Sequence, residues 1–98
     1  MTAVTKADLA DRVALGIPLL DRLSPGWRRQ VPVDNLDQSS AFTDVLGHIY
    51  GTWHQGIHRL GIDGDTATLL GFCLNSQEYA RYEELTQAWK EALDGTGN

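Results

Sequence analysis

The chain has 98 residues, 42% of them hydrophobic and 21% charged, with a formal net charge of −5, the make-up of one domain with a modest core. Acidic balance excludes a general nucleic-acid binder, which needs clustered Lys and Arg against phosphates; the one local basic pair, Arg28 and Arg29, reads as a solvated turn. The single cysteine excludes an intramolecular disulfide, the amino terminus has no basic and apolar leader, and no apolar run is long enough to span a bilayer, so the expected location is the cytoplasm.

Leu9, Val13, Ile17 and Leu20 form one helical stripe, with Thr5 or Asp8 as its cap. Pro18 leaves two readings open: a kinked helix from about residue 6 to 23, or a break at Gly16 and Ile17 with Pro18 opening a second helix. Ser24 followed by Pro25 predicts one helical turn carrying Trp27 as an apolar plug. Val31 precedes Pro32 and is held extended, and Asp, Asn and Ser make residues 33–40 turn-rich. Residues 40–60 read as helix, with its continuity through Gly51 left open. A Gly-rich turn and a short helix over Thr66 to Phe72 come next. Cys73, within "LLGFCLN", reads as a buried, inert thiol. Asn75 and Glu78 form a capping-box pattern for a last helix. Its stripe is Tyr79, Tyr82, Leu85 or Thr86, Trp89 and Leu93, and Gly95 stops it. No segment alternates as a strand. The expected fold is an all-α bundle of four to five helices, two or three of them long, in a single domain over residues 1–98. About 1–5 and 94–98 are expected to fray.

The stretch "GHIYGTWHQGIH" (47–58) holds all three histidines. On a helical wheel Phe42, Leu46, Ile49, Trp53, Ile57 and Leu60 share an arc of roughly 80° and form a core face. Asp44, Gly47, His48, Gly51, His54, Gln55 and His58 lie almost opposite. Three glycines cost a helix roughly 1 kcal/mol each relative to alanine. Gly47 and Gly51, four apart, would line a groove that admits another backbone, with the histidines flanking a contact surface that pH tunes. The residues thus point to a module that binds a protein partner or a second copy through these seven positions, with no cofactor and no catalysis.

Two other readings stand beside it. His54 and His58 have the spacing of two imidazoles on one helix face and are the candidate metal pair, for a zinc-binding regulator or enzyme. His48 would lie about 15 Å from His58 along the axis, too far for the same ion, so a third ligand would come from Asp63 or Asp65. Gln55 follows His54 where a metalloprotease helix has Glu. The second is an acidic mimic of DNA, resting on the net charge alone.

The pieces "GIPLLDRLSPGW" (16–27), "VDNLDQSS" (33–40), "VLGHIYG" (45–51), "GIHRLGI" (56–62), "GF" (71–72) and "YEELTQAWKEAL" (82–93) follow in order. In them the chain resembles a family of small proteins of actinobacteria and of the phages that infect them. The resemblance implies no activity and no cofactor. It implies a phage or prophage setting, in which small acidic proteins act by binding a host protein. Members carry cysteines just before the Val-Leu-Gly element; here Ala41, Phe42, Thr43 and Asp44 stand there, so no metal or redox role carries over.

Overall fold

A computed structural model describes residues 4–96, with side chains to Asp94. The architecture is all-α: α1 (Lys6–Leu23), α2 (Val45–Tyr50), α3 (Trp53–Leu60), α4 (Gly64–Leu69) and α5 (Tyr82–Thr96). Short 3-10 turns at Trp27–Gln30, Val33–Asn35 and Tyr79–Arg81 link them. The described residues contain no strand. The fraying expected of residues 1–3 and 97–98 lies outside the described residues.

The start of α1 is a capping box. Thr5 Oγ1 accepts the Asp8 N–H at 3.1 Å, and the Asp8 carboxylate accepts the Thr5 N–H at 2.9 Å, two otherwise orphaned donors satisfied together. The helix runs through Pro18 without a break. Pro18 and Ala14, the residue whose carbonyl it cannot serve, are both exposed, so the missing bond falls on the solvent side of the helix and not in the core. Leu9, Val13, Gly16 and Leu20 face inward. The helical turn expected after Ser24 exists but starts later. Ser24 closes α1, its N–H reaching the Leu20 carbonyl. Gly26, at φ 83°, then turns the chain into Trp27–Gln30.

Helix α5 packs against α1 through Leu85, Trp89 and Leu93, all buried. Trp89 is the centre of the core. Trp27 meets it edge-on at 6.1 Å, Phe72 stacks on it at 5.8 Å, and its indole N–H donates to the Gly71 carbonyl at 2.7 Å. The turn at 70–72 fits between α1 and α5 only because two glycines lack side chains. A Cβ on Gly16 would strike the Leu70 carbonyl oxygen. Gly71, at φ 79°, lies with its own Cβ position 3.0 Å from the Val13 nitrogen. Arg12 clamps the next loop with a two-pronged ion pair to Glu78, at 2.9 and 2.8 Å.

Two expectations about α5 are corrected. Asn75 and Glu78 do not cap it. They close a local turn, Asn75 Oδ1 accepting the Gln77 N–H, and the helix begins at Tyr82 after a 3-10 turn. The stripe therefore starts at Tyr82, and Tyr79 is 61% exposed. Gly95 does not stop the helix, which continues to Thr96.

Gly16→Ala should unfold or destabilise the protein by more than about 2 kcal/mol, since a backbone carbonyl must move out of a packed core. Gly64→Ala is the control: nothing lies within 4 Å of its Cβ position, and alanine's helix preference should leave stability unchanged or raise it by up to about 1 kcal/mol. Urea unfolding of both checks the pair.

Candidate functional site

The helical stretch expected over residues 40–60, whose continuity through Gly51 the sequence left open, is two helices. Gly51 sits at φ 102°, a backbone region that side chains rarely adopt, and its N–H closes α2 on the Gly47 carbonyl at 2.9 Å. Thr52 then caps α3, its hydroxyl accepting the Gln55 N–H at 3.1 Å. The Trp53 N–H turns away to the Ala41 carbonyl at 2.8 Å. Helix α3 folds back onto α2, and Gly56 makes the approach close: a Cβ there would lie 2.6 Å from the Leu46 Cβ.

One wheel over 41–60 therefore does not describe the molecule, and the seven residues expected on its outer face separate. Asp44 and Gly47 are buried. Asp44 caps α2, its carboxylate accepting the Gly47 N–H at 2.6 Å. The space at Gly47 is taken by the chain's own Phe42 carbonyl, 2.5 Å from its Cβ position, so Gly47 and Gly51 do not line an open groove. His48 is half-buried and its Nε2 meets the Asn35 carbonyl at 2.8 Å. Gly51 lies at the exposed turn. Only His54, Gln55 and His58 stay together on the surface, where with Arg59 they frame a shallow depression. Phe42, expected in the core, is 69% exposed, because it lies in the turn before α2 rather than on the helix.

The metal reading is set against the same geometry. Asp63 caps α4, accepting the Thr66 N–H at 2.8 Å. Among the described residues no group of three or more His, Cys, Asp and Glu is placed to hold a metal ion.

A second place was not expected. A cavity of about 210 Å³ lies between the 38–44 turn, Trp53 at the start of α3, the 72–74 segment, and Tyr79 and Tyr82. Gln38 lines it and is 4% exposed. Its N–H donates to Thr86 Oγ1 on α5 at 2.9 Å, and its Oε1 accepts the Val45 N–H at 2.8 Å. Its Nε2 is buried with no hydrogen-bond partner. Asp44, 1% exposed, lines the same cavity. Burial pushes its carboxyl up to about 7, against the opposing pull of the Gly47 N–H and its own N–H. Burial also pushes the Cys73 thiol up, so this half-buried cysteine sits as the unreactive thiol, 3.3 Å from the Thr68 hydroxyl. Sequence reasoning found Asp44 but for an outward-facing role. It missed Gln38, and no spacing rule marks a glutamine in a turn-rich stretch.

No family model, curated protein or solved structure matches the chain.

The Asp44 carboxyl binds its proton more tightly in the folded protein, near pH 7, than at its ordinary value of 3.8. Its favourable contribution is complete below about pH 4 and is lost as pH rises through about 7. The ionisable groups facing it titrate outside that window: Cys73 and Tyr82 are pushed up from 9.0 and 10.0, and Glu78 is held below 4.5 by Arg12. Asp44→Asn keeps a good helix cap and removes the titration. Its stability relative to the wild type should rise by roughly 2–4 kcal/mol between pH 4 and pH 8. Parallel pH profiles of the two proteins in urea unfolding would contradict this.

Proposed function

We propose that the protein acts by binding another protein, without catalysis of its own, and that His54, Gln55 and His58 on α3, with Arg59, form the contact. One observation carries the reading: a rigid helix projects four adjacent polar side chains that the fold itself does not use. Thr52 fixes the start of α3, and Gly61, at φ 70°, fixes its end. Trp53 and Leu60 anchor it through the core packing. His54 touches only the edge of Trp53 among ring contacts. Among the described residues the side chains of Gln55, His58 and Arg59 make no hydrogen bond or ion pair. A backbone already fixed as helix removes the backbone part of the ordering cost of binding and leaves only that of the side chains.

The net charge of −5 disfavours nucleic acid as the partner. No helix among the described residues is long and apolar enough to cross a membrane. The resemblance to small proteins of actinobacteria and their phages supplies the setting of this proposal: a cytoplasmic protein whose partner is a host protein or a second copy of itself.

His54→Ala with His58→Ala should change the unfolding free energy by no more than about 0.5 kcal/mol per site, since both residues are exposed. A photo-crosslinking residue at position 55 should give one dominant protein adduct in cells, and the double alanine variant should lose it. Native mass spectrometry distinguishes a second copy from a foreign partner. An adduct that survives the double substitution, or none at all, would defeat the proposal.

A further inference from the structure

The outer face of α1 carries a second assignment, on residues that the α3 contact does not use. We infer that α1 pairs with the α1 of a second copy of this chain, antiparallel and about a two-fold axis, so that Asp11 of each copy meets Arg22 of the other.

The argument starts from one exposed helix face. Leu9, Val13, Gly16 and Leu20 face the core. On the opposite side Asp11, Leu15, Pro18 and Arg22 share an arc of roughly 60° on the helical wheel, and all four are exposed. Leu15 is 61% exposed, in the middle of the helix and not at an end. The charges that bound this face are unanswered within the chain. Three and four residues away along the helix, Asp11 finds no cation and Arg22 no anion. Among the described residues neither side chain makes an ion pair or hydrogen bond.

The order of residues along the face selects a second copy as the occupant. It reads acid, apolar, apolar, base, and it is symmetric about the level of the peptide between Gly16 and Ile17. Reversed on itself at that level, the helix sets Asp11 beside Arg22, Leu15 beside Pro18 and Ala14 beside half-buried Leu19. Each pairing then occurs twice, as a two-fold interface requires. A parallel pairing would set Asp11 against Asp11 and Arg22 against Arg22, and like charges repel. Ala14 and Pro18 carry compact side chains that let the two axes approach. Asp11 and Arg22 stand about 16 Å apart along the helix, so a shallow crossing of about 20° keeps both ends within reach of the partner helix.

One helix face is a small interface, short of the roughly 800 Å² per partner of a standard stable complex. The pair is therefore weak and reversible, with a dissociation constant above about 1 µM.

The test is sedimentation equilibrium of the full-length protein and two charge variants, Asp11→Arg and Arg22→Asp. The wild type should be mostly dimer at about 1 mM, as even a pair of about 100 µM affinity is. Each variant alone sets like charges together at both ends and should dimerise at least about tenfold more weakly. An equal mixture of the two restores both opposite-charge pairs and should recover the dimer, as a heterodimer that native mass spectrometry resolves by mass. Recovery also shows that both variants fold; circular dichroism checks Arg22→Asp, which sets an anion near a helix C-terminus, and should it not fold, Asp11→Arg alone decides. A wild type that stays monomeric at about 1 mM, a dimer that Asp11→Arg does not weaken, or folded variants whose mixture stays monomeric overturns the inference. The double substitution His54→Ala with His58→Ala should leave this dimer in place. A dimer that it abolishes and that the charge variants spare belongs to α3 and not to α1, so the two surfaces fail separately.

Discussion

The bond from the Trp89 indole to the Gly71 carbonyl ties together the two longest helices and the turn between them. Trp89 belongs to α5, and Gly71 lies in a turn pressed into α1 at Gly16 and Val13. The bond is buried, so its two partners have no water to fall back on and breaking it leaves both unsatisfied. Its closeness depends on two missing side chains, since any Cβ at Gly16 would displace the Leu70 carbonyl. Trp27 and Phe72 then fill the remaining sides of the Trp89 ring. In a domain of this size, a tryptophan with two aromatic rings packed on it forms much of the core.

The site region depends on this frame. Phe72, fixed on Trp89, presents its carbonyl to the Trp53 indole and so holds the start of α3. From there Gly51 and Gly56 return α3 across α2. The 38–44 turn is pinned between α5, through Gln38 and Thr86, and α2, through Gln38 and Val45. Two surfaces of different kind result. One is the outer face of α3, polar and unused by the fold. The other is a small cavity with apolar walls and two buried polar side chains, Gln38 and Asp44.

The parts of the fold that are local in origin were legible in the sequence. The α1 stripe, a cap at Thr5 or Asp8 and the Leu85, Trp89 and Leu93 stripe of α5 follow from 3.6-residue periodicity and capping chemistry. The division at Gly51 was left open by the sequence. The apolar residues on either side keep helical spacing, and a glycine within such a pattern is compatible with a continuous helix. What bends the chain is tertiary: Ala41 takes the Trp53 N–H, and Gly56 seats against Leu46. The same holds at the start of α5, where Asn75 and Glu78 have the right residues and spacing for a cap but are held in a turn by Arg12, 66 residues from Glu78. Of the seven residues expected on one outer face between 44 and 58, three stay together on the surface, His54, Gln55 and His58 on α3. Asp44 and Gly47 turned inward because the break rotates them out of phase with His54 and His58. Gln38 owes its burial to Thr86, 48 residues away, and no local pattern carries that information.

The central claim is that the Trp89 indole bond is part of the global core and opens only when the protein unfolds. Hydrogen exchange of the three indole N–H groups, followed by NMR across a range of urea concentrations, measures it directly. The Trp89 proton should be the slowest of the three, with an opening free energy equal to that of global unfolding. The proton of half-buried Trp53 should exchange through a smaller opening. If the Trp89 proton exchanges as readily as that of Trp53, through a local motion insensitive to urea, the turn at 70–72 is not the structural centre of the molecule and the account fails.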